Sequence, residues 1–249
     1  MINYLKNGFS KNKNIENLEI KIVNKEIVHD KKNWSAYIIS ISGDDVIGRE
    51  RRRFSQHSLY FSDGILVTPD LRNAITDERY RETMAPKFNE KNYDEIYHIF
   101  GNKNAKHKVA IFSDPLCPSC IEYIPKVLDI LKKEPSKYCV YYYHFPLDMH
   151  PTSKTLVKAY MVLEEKKTSN LNIKKLYNIK ISEDELNEKE ILSAFNKVFH
   201  SKVTIKDINS KKILDHYAST LKISEYLMVR GTPALYYNGE EDSIERFLK

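Results

Sequence analysis

The chain has 249 residues, of which 41% are hydrophobic and 30% are charged, as in an ordinary globular protein. This composition excludes a disordered chain and supplies enough apolar side chains for a sizeable core. The 40 Lys and Arg residues exceed the 34 Asp and Glu residues by a net charge of +6, which does not indicate nucleic-acid binding without a concentrated basic stripe.

The first 70 residues predict a small β-rich domain. The spacing of apolar residues predicts a short helix at 4–9. Three apolar or β-branched segments then predict strands, at residues 18–23, 34–41 and 59–67. Asp63 and Gly64 inside the last segment are typical of a hairpin turn. A sheet of this size leaves its edges open, so we expect a partner to cover them.

Two stretches of the sequence are rich in charged residues, and we interpret them differently. The basic run of Arg49, Arg51, Arg52 and Arg53 lies beside acidic residues, so we interpret it as a solvated surface and expect no nucleic-acid partner. Residues 71–92 are highly charged and sparsely apolar, which predicts a partly helical linker that is broken near Pro86.

From residue 93 onward the pattern alternates between helices and strands. Gly101 ends a predicted helix at 93–100, and strands are predicted at 109–113, 138–143 and 234–237. Apolar residues at helical spacing predict three helices, around 156–161, 186–199 and 208–217. A turn at 238–239 and a short helix close the chain. No run of apolar residues reaches the roughly 20 that a membrane-spanning helix needs, and residues 1–10 lack the apolar stretch of a signal peptide.

The candidate chemistry lies in Cys117-Pro118-Ser119-Cys120, between a predicted strand and a predicted helix. Thiol–disulfide exchange needs a thiolate, and the positive end of a helix favours one at Cys117. The second sulfur, on Cys120, is close enough to resolve a mixed disulfide. Pro118 suits the first turn of a helix, and the small Ser119 leaves the Cys117 sulfur open to a bulky partner.

Two alternatives remain for this motif. A Cys-x-x-Cys pair is also half of many zinc sites, but no second pair exists here, and only Cys139, His144 and His150 could complete four ligands. An inert structural disulfide is the other alternative. The strand–motif–helix context favours redox exchange, for which no metal or organic cofactor is expected.

Residues 112–120 (FSDPLCPSC) resemble the active-site segment of the bacterial thiol:disulfide interchange proteins, and the Asp-Pro before the motif resembles the DsbC/DsbG branch. Gly101 to Ala105 is similar to the lead-in of that group. Gly231-Thr232-Pro233 resembles its cis-proline loop, in which the proline lies beside the cysteines. The resemblance implies an α+β fold with a thioredoxin-like catalytic domain at 93–249 and a helical insertion at about 152–229.

The resemblance is weaker over 1–92, where it implies a dimerisation domain at 1–70 and a linker at 71–92. It also implies a periplasmic enzyme, a homodimer, and a membrane redox partner that recharges or reduces the cysteine pair. Cys117 and Cys120 would be catalytic. The implied substrate-binding residues are Pro118, Ser119, Thr232 and Pro233.

Other residues near the motif have ordinary interpretations. Asp114 is either a turn residue or a group that tunes the thiols, and Cys139 is either a buried inert thiol or a second redox group. Glu122 is expected to be an exposed helix residue, and 144–146 a turn.

Two classes of function therefore remain. The first is a disulfide oxidoreductase, either isomerase or oxidase, acting on unfolded or misoxidised exported proteins. The second is a chaperone-like holder of such proteins with secondary redox activity.

Overall fold

The computed structural model describes residues 1–47, 50–169 and 171–248; of the predicted basic run, Arg49 lies outside these residues. The chain forms two compact units. The first comprises residues 1–86 and 225–228, and the second comprises residues 87–224 and 229–249. Each unit has its own sheet. In the described part of the chain, no helix is both long enough and apolar enough to cross a membrane.

The first unit is a four-stranded antiparallel sheet in the order β1-β2-β3-β4, preceded by a short helix. Its elements are α1 (Ile2–Phe9), β1 (Ile15–Ile27), β2 (Ser35–Ile47), β3 (Glu50–Ser62) and β4 (Val67–Thr68). Asp63 caps the turn between β3 and β4 through the N–H groups of Ile65 and Leu66, which confirms the predicted hairpin.

The alternation of side chains along β2 builds two small cores, one on each face of this sheet. Ala36 and Ile38 pack in one cluster with Leu59 and Phe61. Ile39 and Ile41 belong to the other cluster, which Leu5 of α1 and Ile20 of β1 complete.

Strand β1 is an edge of this sheet, since β2 is its one neighbour in the strand order. Of its thirteen residues, Ile20 is the one that is fully buried. Ile22, Val23 and Ile27 are 45%, 53% and 64% exposed, so apolar side chains stand in water along an unpaired edge.

The charged segments of the first unit form surface structure. Arg51 and Arg53 on β3 both pair with Asp44 on β2, and Arg51 also pairs with Glu16, as expected for a solvated surface. In the predicted linker, a short helix α2 (Tyr80–Met84) ends just before Pro86, which confirms a partly helical segment that stops there.

The second unit contains a five-stranded sheet in the order β5-β7-β6-β8-β9. The strands are β5 (His98–Gly101), β6 (His107–Ser113), β7 (Tyr138–His144), β8 (Ala234–Tyr237) and β9 (Glu240–Asp242). Strands β6 and β7 are parallel, and the other pairs are antiparallel. The parallel pair is joined through α3 (Pro118–Lys132), so β6 leads directly into the candidate motif.

The predicted helix at 93–100 is wrong. The segment contains a 3₁₀ turn (Glu95–Tyr97), which Asp94 caps, and then strand β5. Pairing with β7, in which Phe100 opposes Val140, overrides the helical spacing. Gly101 has a φ of +95°, and a Cβ there would clash with the carbonyl oxygen of Tyr138. This glycine is therefore required by a close approach of two strands.

The predicted helical insertion is present but has more pieces than expected. It contains α4 (Pro151–Glu165), a 3₁₀ segment (Ile173–Asn178), α5 (Glu188–Phe199), α6 (Ile205–Ile208) and α7 (Lys211–Tyr226). The third predicted helix is split in two, because α6 ends at Ile208 and α7 begins at Lys211. Leu186 lies before α5, whose N-cap is Asn187. At the end of the chain, β9 and a 3₁₀ turn (Ile244–Phe247) replace the predicted short helix.

The sheet of the second unit is covered on both faces. Ile111, Val140 and Tyr142 face a core that α3, α4 and α5 complete with aliphatic side chains. Their neighbours Phe112 and Tyr143 face the opposite side, where they pack against other aromatic rings, including Phe88. The predicted α+β fold class, with an N-terminal β-rich sheet, is confirmed.

Candidate active site

Cys117 stands at the N-cap of α3, and Pro118 is the first helical residue. Strand β6 is hydrogen-bonded on both sides, to β7 and to β8, so the loop that follows it starts from the centre of the sheet. Cys117 is 7% exposed and Cys120 is fully buried, whereas Pro118 and Ser119 between them are exposed. The two sulfurs therefore lie at different depths at the N-terminus of α3.

The Thr232–Pro233 peptide bond is cis, as expected from the resemblance, and it lies beside the cysteines. The pairing of Phe112 on β6 with Ala234 on β8 brings this loop next to the motif. The Sγ atom of Cys117 lies 3.3 Å from the carbonyl oxygen of Thr232. Thus the structure brings together all six residues predicted for the site, which are Cys117, Pro118, Ser119, Cys120, Thr232 and Pro233.

The environment of Cys117 favours its thiolate. The side chain of Cys120 donates a hydrogen bond to it, and this contact makes the largest contribution to lowering the pKa of Cys117 to about 5. The Thr232 side chain and the N–H groups of Ser119 and Cys120 lower the pKa further, against the effect of burial. A thiol with this pKa is almost completely ionised at neutral pH.

The environment of Cys120 favours its protonated thiol. Burial raises the pKa of its thiol, and the hydrogen bond to Cys117 raises it further because Cys120 is the donor. One sulfur of the pair is thus a stabilised anion and the other a retained thiol. This division of roles is what stepwise thiol–disulfide exchange requires.

Asp114 is a fully buried carboxyl group three residues before Cys117. One oxygen accepts hydrogen bonds from the Leu116 N–H and the Ser153 hydroxyl. The other accepts from the Leu147 N–H and from Nδ1 of His150, at 2.7 and 2.9 Å. Asp114 is therefore more than a turn residue, because it ties the loop before the motif to the start of α4. None of these bonds reaches a sulfur.

A set of buried hydroxyl groups joins three elements of the second unit, and the sequence did not predict it. Burial raises the pKa of the Cys120 thiol, and the Ser113 hydroxyl opposes that effect. The same hydroxyl lies 2.8 Å from the hydroxyl of Tyr177, which in turn lies 2.6 Å from that of Tyr142. These residues come from β6, the 3₁₀ segment of the insertion and β7, so no local pattern in the sequence joins them.

The structure also shows the positions of the other candidate residues near the motif. Cys139 is a free, fully buried thiol on β7, and Glu122 is an exposed residue of α3 that pairs with Lys126. His144 is the last residue of β7 rather than part of a turn, because the parallel pairing with β6 extends to Ser113. Among the described residues, no group of three or more His, Cys, Asp or Glu side chains could hold a metal ion.

Comparison with known proteins identifies the family of this chain. The family model Thioredoxin_4, described as thioredoxin, matches residues 93–245. A thioredoxin-like oxidoreductase from Silicibacter pomeroyi is 18% identical with a TM-score of 0.48, over 59% of this chain and 83% of that one. A periplasmic thioredoxin-like protein from Salmonella enterica serovar Typhimurium is 20% identical with a TM-score of 0.49, over 60% and 82%.

A third solved structure, the thiol-disulfide exchange protein alpha-DsbA2 from Wolbachia pipientis, is 17% identical with a TM-score of 0.46, over 62% of this chain and 84% of that one. No protein of curated function matches the sequence. The match to the family model covers more than half of the chain and includes both cysteines and the cis-proline loop. The chain belongs to the thioredoxin family.

Proposed function

We propose that this protein is a thiol–disulfide oxidoreductase that exchanges disulfides in exported proteins through Cys117 and Cys120. The observation that carries the proposal is the asymmetry of the pair: Cys117 lies at the N-cap of α3, with its sulfur 3.3 Å from the Thr232 carbonyl oxygen, whereas Cys120 is fully buried. In these positions the pKa of Cys117 is lowered to about 5 and that of Cys120 is raised. Cys117 is therefore the attacking sulfur at neutral pH, and Cys120 is held back as a thiol until a mixed disulfide exists.

In the reduced protein, the Cys117 thiolate attacks one sulfur of a substrate disulfide. A Cys117–substrate disulfide forms, the substrate S–S bond breaks, and the departing substrate thiolate takes a proton from solvent. Cys120 then attacks Cys117, which forms the Cys117–Cys120 disulfide and releases the second substrate thiol. The substrate gains the two electrons that the cysteine pair loses, and the reverse sequence oxidises a substrate dithiol.

The loop at Thr232 and Pro233 is the proposed edge for the substrate backbone. The Thr232 carbonyl oxygen lies 3.3 Å from the Cys117 sulfur, so a chain paired along this loop passes the reacting atom. Pro118 and Ser119, which follow Cys117, are exposed, and neither carries a bulky polar group. This arrangement accepts many polypeptide sequences, because it binds backbone rather than particular side chains.

The compartment and assembly follow from the chemistry and from the resemblance to the DsbC/DsbG branch. Protein disulfides persist outside the cytoplasm, so we assign the enzyme to the periplasm, with a membrane redox partner that resets the pair. We further propose that residues 1–70 form a dimerisation domain and 71–92 a linker. The unpaired, apolar edge of β1 supports pairing with the same strand of a second copy.

The test is the refolding of a substrate protein with scrambled disulfides. We expect Cys117→Ala to abolish turnover and Cys120→Ala to accumulate a covalent enzyme–substrate complex. Turnover that survives in Cys117→Ala would refute the assignment of the attacking sulfur. Suppression of aggregation is measured in parallel, and a protein that holds clients fully but shows no exchange in its unmodified form would support the chaperone-like alternative.

The direction of electron flow is measured by titrating the cysteine pair against glutathione buffers. A strongly oxidising potential favours a donor of disulfides, because a stabilised Cys117 thiolate favours the reduced form of the pair. A potential near that of thioredoxin, about −270 mV, favours an isomerase or reductase kept reduced by a partner.

A further inference from the structure

A cavity of about 640 Å³ lies in the second unit, away from the cysteine motif. It is lined by the edge strand β5, the last turns of α3, the second half of α4 and the start of the 3₁₀ segment at Ile173–Asn178. Along α3, which rises 1.5 Å per residue, its lining residue Asp129 lies about 18 Å from Cys117. Small-molecule sites in proteins have volumes of about 300–1,000 Å³, so this cavity has the size of one.

The walls of the cavity are mostly apolar. They are formed by Ile99, Phe100, Leu128, Leu171 and Ile173, which come from three different elements. Leu128 and Ile173 are at most 6% exposed, so these walls are continuous with the core of the second unit. A ligand that fills the cavity must therefore carry an apolar body.

The charged groups of the lining differ in how they are paired. Asp129 on α3 forms an ion pair with Lys174, at 2.6 Å between Oδ1 and Nζ, so these two charges cancel. Lys132 is exposed, and its ammonium group stays in water.

Glu164 on α4 is the lining carboxylate without a cationic partner. Its side chain is 26% exposed, and in the described part of the chain it forms no ion pair with a Lys or Arg. Nε2 of the buried His144 lies 3.9 Å from its Oε2 atom, too far for a hydrogen bond, and neither ring nitrogen of His144 has a hydrogen-bond partner. The acceptor positions of this carboxylate are therefore free.

Tyr160 supplies a second free polar group. It lies four residues before Glu164, so both side chains share one face of α4. The residue is 3% exposed, yet its hydroxyl has no hydrogen-bond partner among the described residues. Because protein atoms do not seal this hydroxyl, it opens into the cavity that Tyr160 lines. Burial raises the pKa of Tyr160, so the hydroxyl remains neutral and can both donate and accept.

We propose that this cavity is a binding site for a small organic amine, in which an ammonium group attached to an apolar body meets Glu164 and Tyr160. The site is separate from the proposed disulfide exchange and does not use the cysteines.

An ammonium group matches the two free polar groups in charge and in number of donors. It carries hydrogens to donate and has no acceptor. The Glu164 carboxylate accepts one of them in a charge-assisted hydrogen bond, and the Tyr160 oxygen accepts another. The apolar body meanwhile replaces water along the walls, which adds the hydrophobic contribution.

The same groups discriminate against other ligands. A neutral apolar molecule in the cavity would remove water from Glu164 and return no donor of equal strength. An anion would add repulsion from the carboxylate. Selectivity for a cation therefore comes from the cost of leaving Glu164 unpaired as well as from the bond it gains.

The test uses three probes that share a phenyl ring and differ in charge: 2-phenylethylamine, 2-phenylethanol and 3-phenylpropionate. Each is titrated into the ¹⁵N-labelled full-length protein, and the amide shifts of Ile99 and Leu171 report binding in the cavity. At neutral pH we expect the protonated amine to bind about tenfold more tightly than the alcohol, the typical effect of one hydrogen bond to a charged group. The carboxylate should bind more weakly than both.

Glu164→Gln should remove the tenfold preference for the amine and leave the affinity for 2-phenylethanol unchanged, which shows that the cavity is intact. Tyr160→Phe should weaken binding of the amine about fivefold, the typical effect of a neutral hydrogen bond. The matched control is Glu165→Gln. Glu165 is the next residue on α4, is 21% exposed, pairs with Lys212 and does not line the cavity, so this variant should bind all three probes as the unmodified protein does.

Two results would overturn the proposal: equal affinities of the three probes for the unmodified protein, or a preference for the amine that survives in Glu164→Gln. Absence of binding of 2-phenylethylamine would overturn it as well, and so would equal losses in Glu164→Gln and Glu165→Gln. None of these results bears on the proposed function, because disulfide exchange is measured separately and depends on Cys117 and Cys120.

Discussion

The Sγ atom of Cys117 and the carbonyl oxygen of Thr232 lie 3.3 Å apart, although 115 positions separate the two residues in the chain. The contact depends on the antiparallel pairing of β6 with β8, which places Phe112 opposite Ala234. The central strands of the sheet therefore align the reacting sulfur with the loop proposed to hold the substrate. The cysteine motif and the Thr232 loop are far apart in the sequence and meet at the candidate active site.

The first prediction concerns the reactivity of Cys117. Because its pKa is lowered to about 5, its rate of alkylation by iodoacetamide should be nearly constant above pH 6 and should fall steeply as the pH drops through 5. Mass spectrometry of the alkylated peptides separates Cys117 from Cys120 and Cys139, both fully buried, which should react far more slowly.

The variant Cys120→Ala removes the largest cause of that low pKa. Its alkylation midpoint should move upward, toward the ordinary thiol value of about 8.5. A midpoint that stays near 5 in this variant would show that the end of α3 alone stabilises the thiolate, and that the hydrogen bond from Cys120 has no such effect.

The second prediction concerns the buried carboxylate. Asp114→Asn removes the charge and turns a donor toward groups that themselves donate, so we expect a loss of about 3 kcal/mol in the free energy of unfolding. The matched control is Asp129→Asn on α3, which breaks an exposed pair with Lys174 and should cost less than about 1 kcal/mol. Equal effects in a urea titration would contradict the structural role of Asp114.

The third prediction separates backbone conformation from crowding. Gly101→Ala should destabilise the protein by about 3 kcal/mol, because it combines a positive φ with a clash against the Tyr138 carbonyl. Gly64 has a similar φ of +100°, but a Cβ at this residue would meet no atom within 4 Å, so Gly64→Ala should cost only about 1 kcal/mol. The midpoints of thermal unfolding compare the two, and a Gly101→Ala variant as stable as Gly64→Ala would contradict the close approach.

The fourth prediction concerns assembly through β1. Sedimentation of the intact chain should give twice the mass of one 29.3 kDa chain. The double variant Val23→Lys, Ile27→Lys places charges on the exposed edge and should shift the mass to that of a monomer, because buried unpaired charges are unfavourable. The matched double variant Ile65→Lys, Ile75→Lys changes exposed apolar residues outside β1 and outside the helix that packs on it, and should stay dimeric. A monomer in the unmodified protein would refute the dimer.

Local features of the site were predictable from the sequence, and distant ones were not. Pro118 and the apolar spacing after it are sufficient to predict the start of α3. By contrast, the helical spacing at 93–100 gives no sign of β5, because the pairing of β5 with β7 overrides it. Tyr142 and Tyr177 are 35 positions apart, so nothing in the sequence around either residue indicates that their hydroxyls meet.

Because Cys117 lies at the N-terminus of α3, oxidation of this residue changes the stability of the folded protein. In the reduced protein, the thiolate accepts hydrogen bonds from the N–H groups of Ser119 and Cys120. Since the pKa of Cys117 is lower in the folded than in the unfolded chain, the thiolate stabilises the reduced fold fully above about pH 8.5, and this stabilisation is lost as the pH falls through 5. Oxidation removes that anion. The Cys117–Cys120 disulfide therefore differs from a structural cross-link. Its formation removes the stabilisation of the fold by the Cys117 thiolate, and that stabilisation returns when the disulfide is transferred to a client protein.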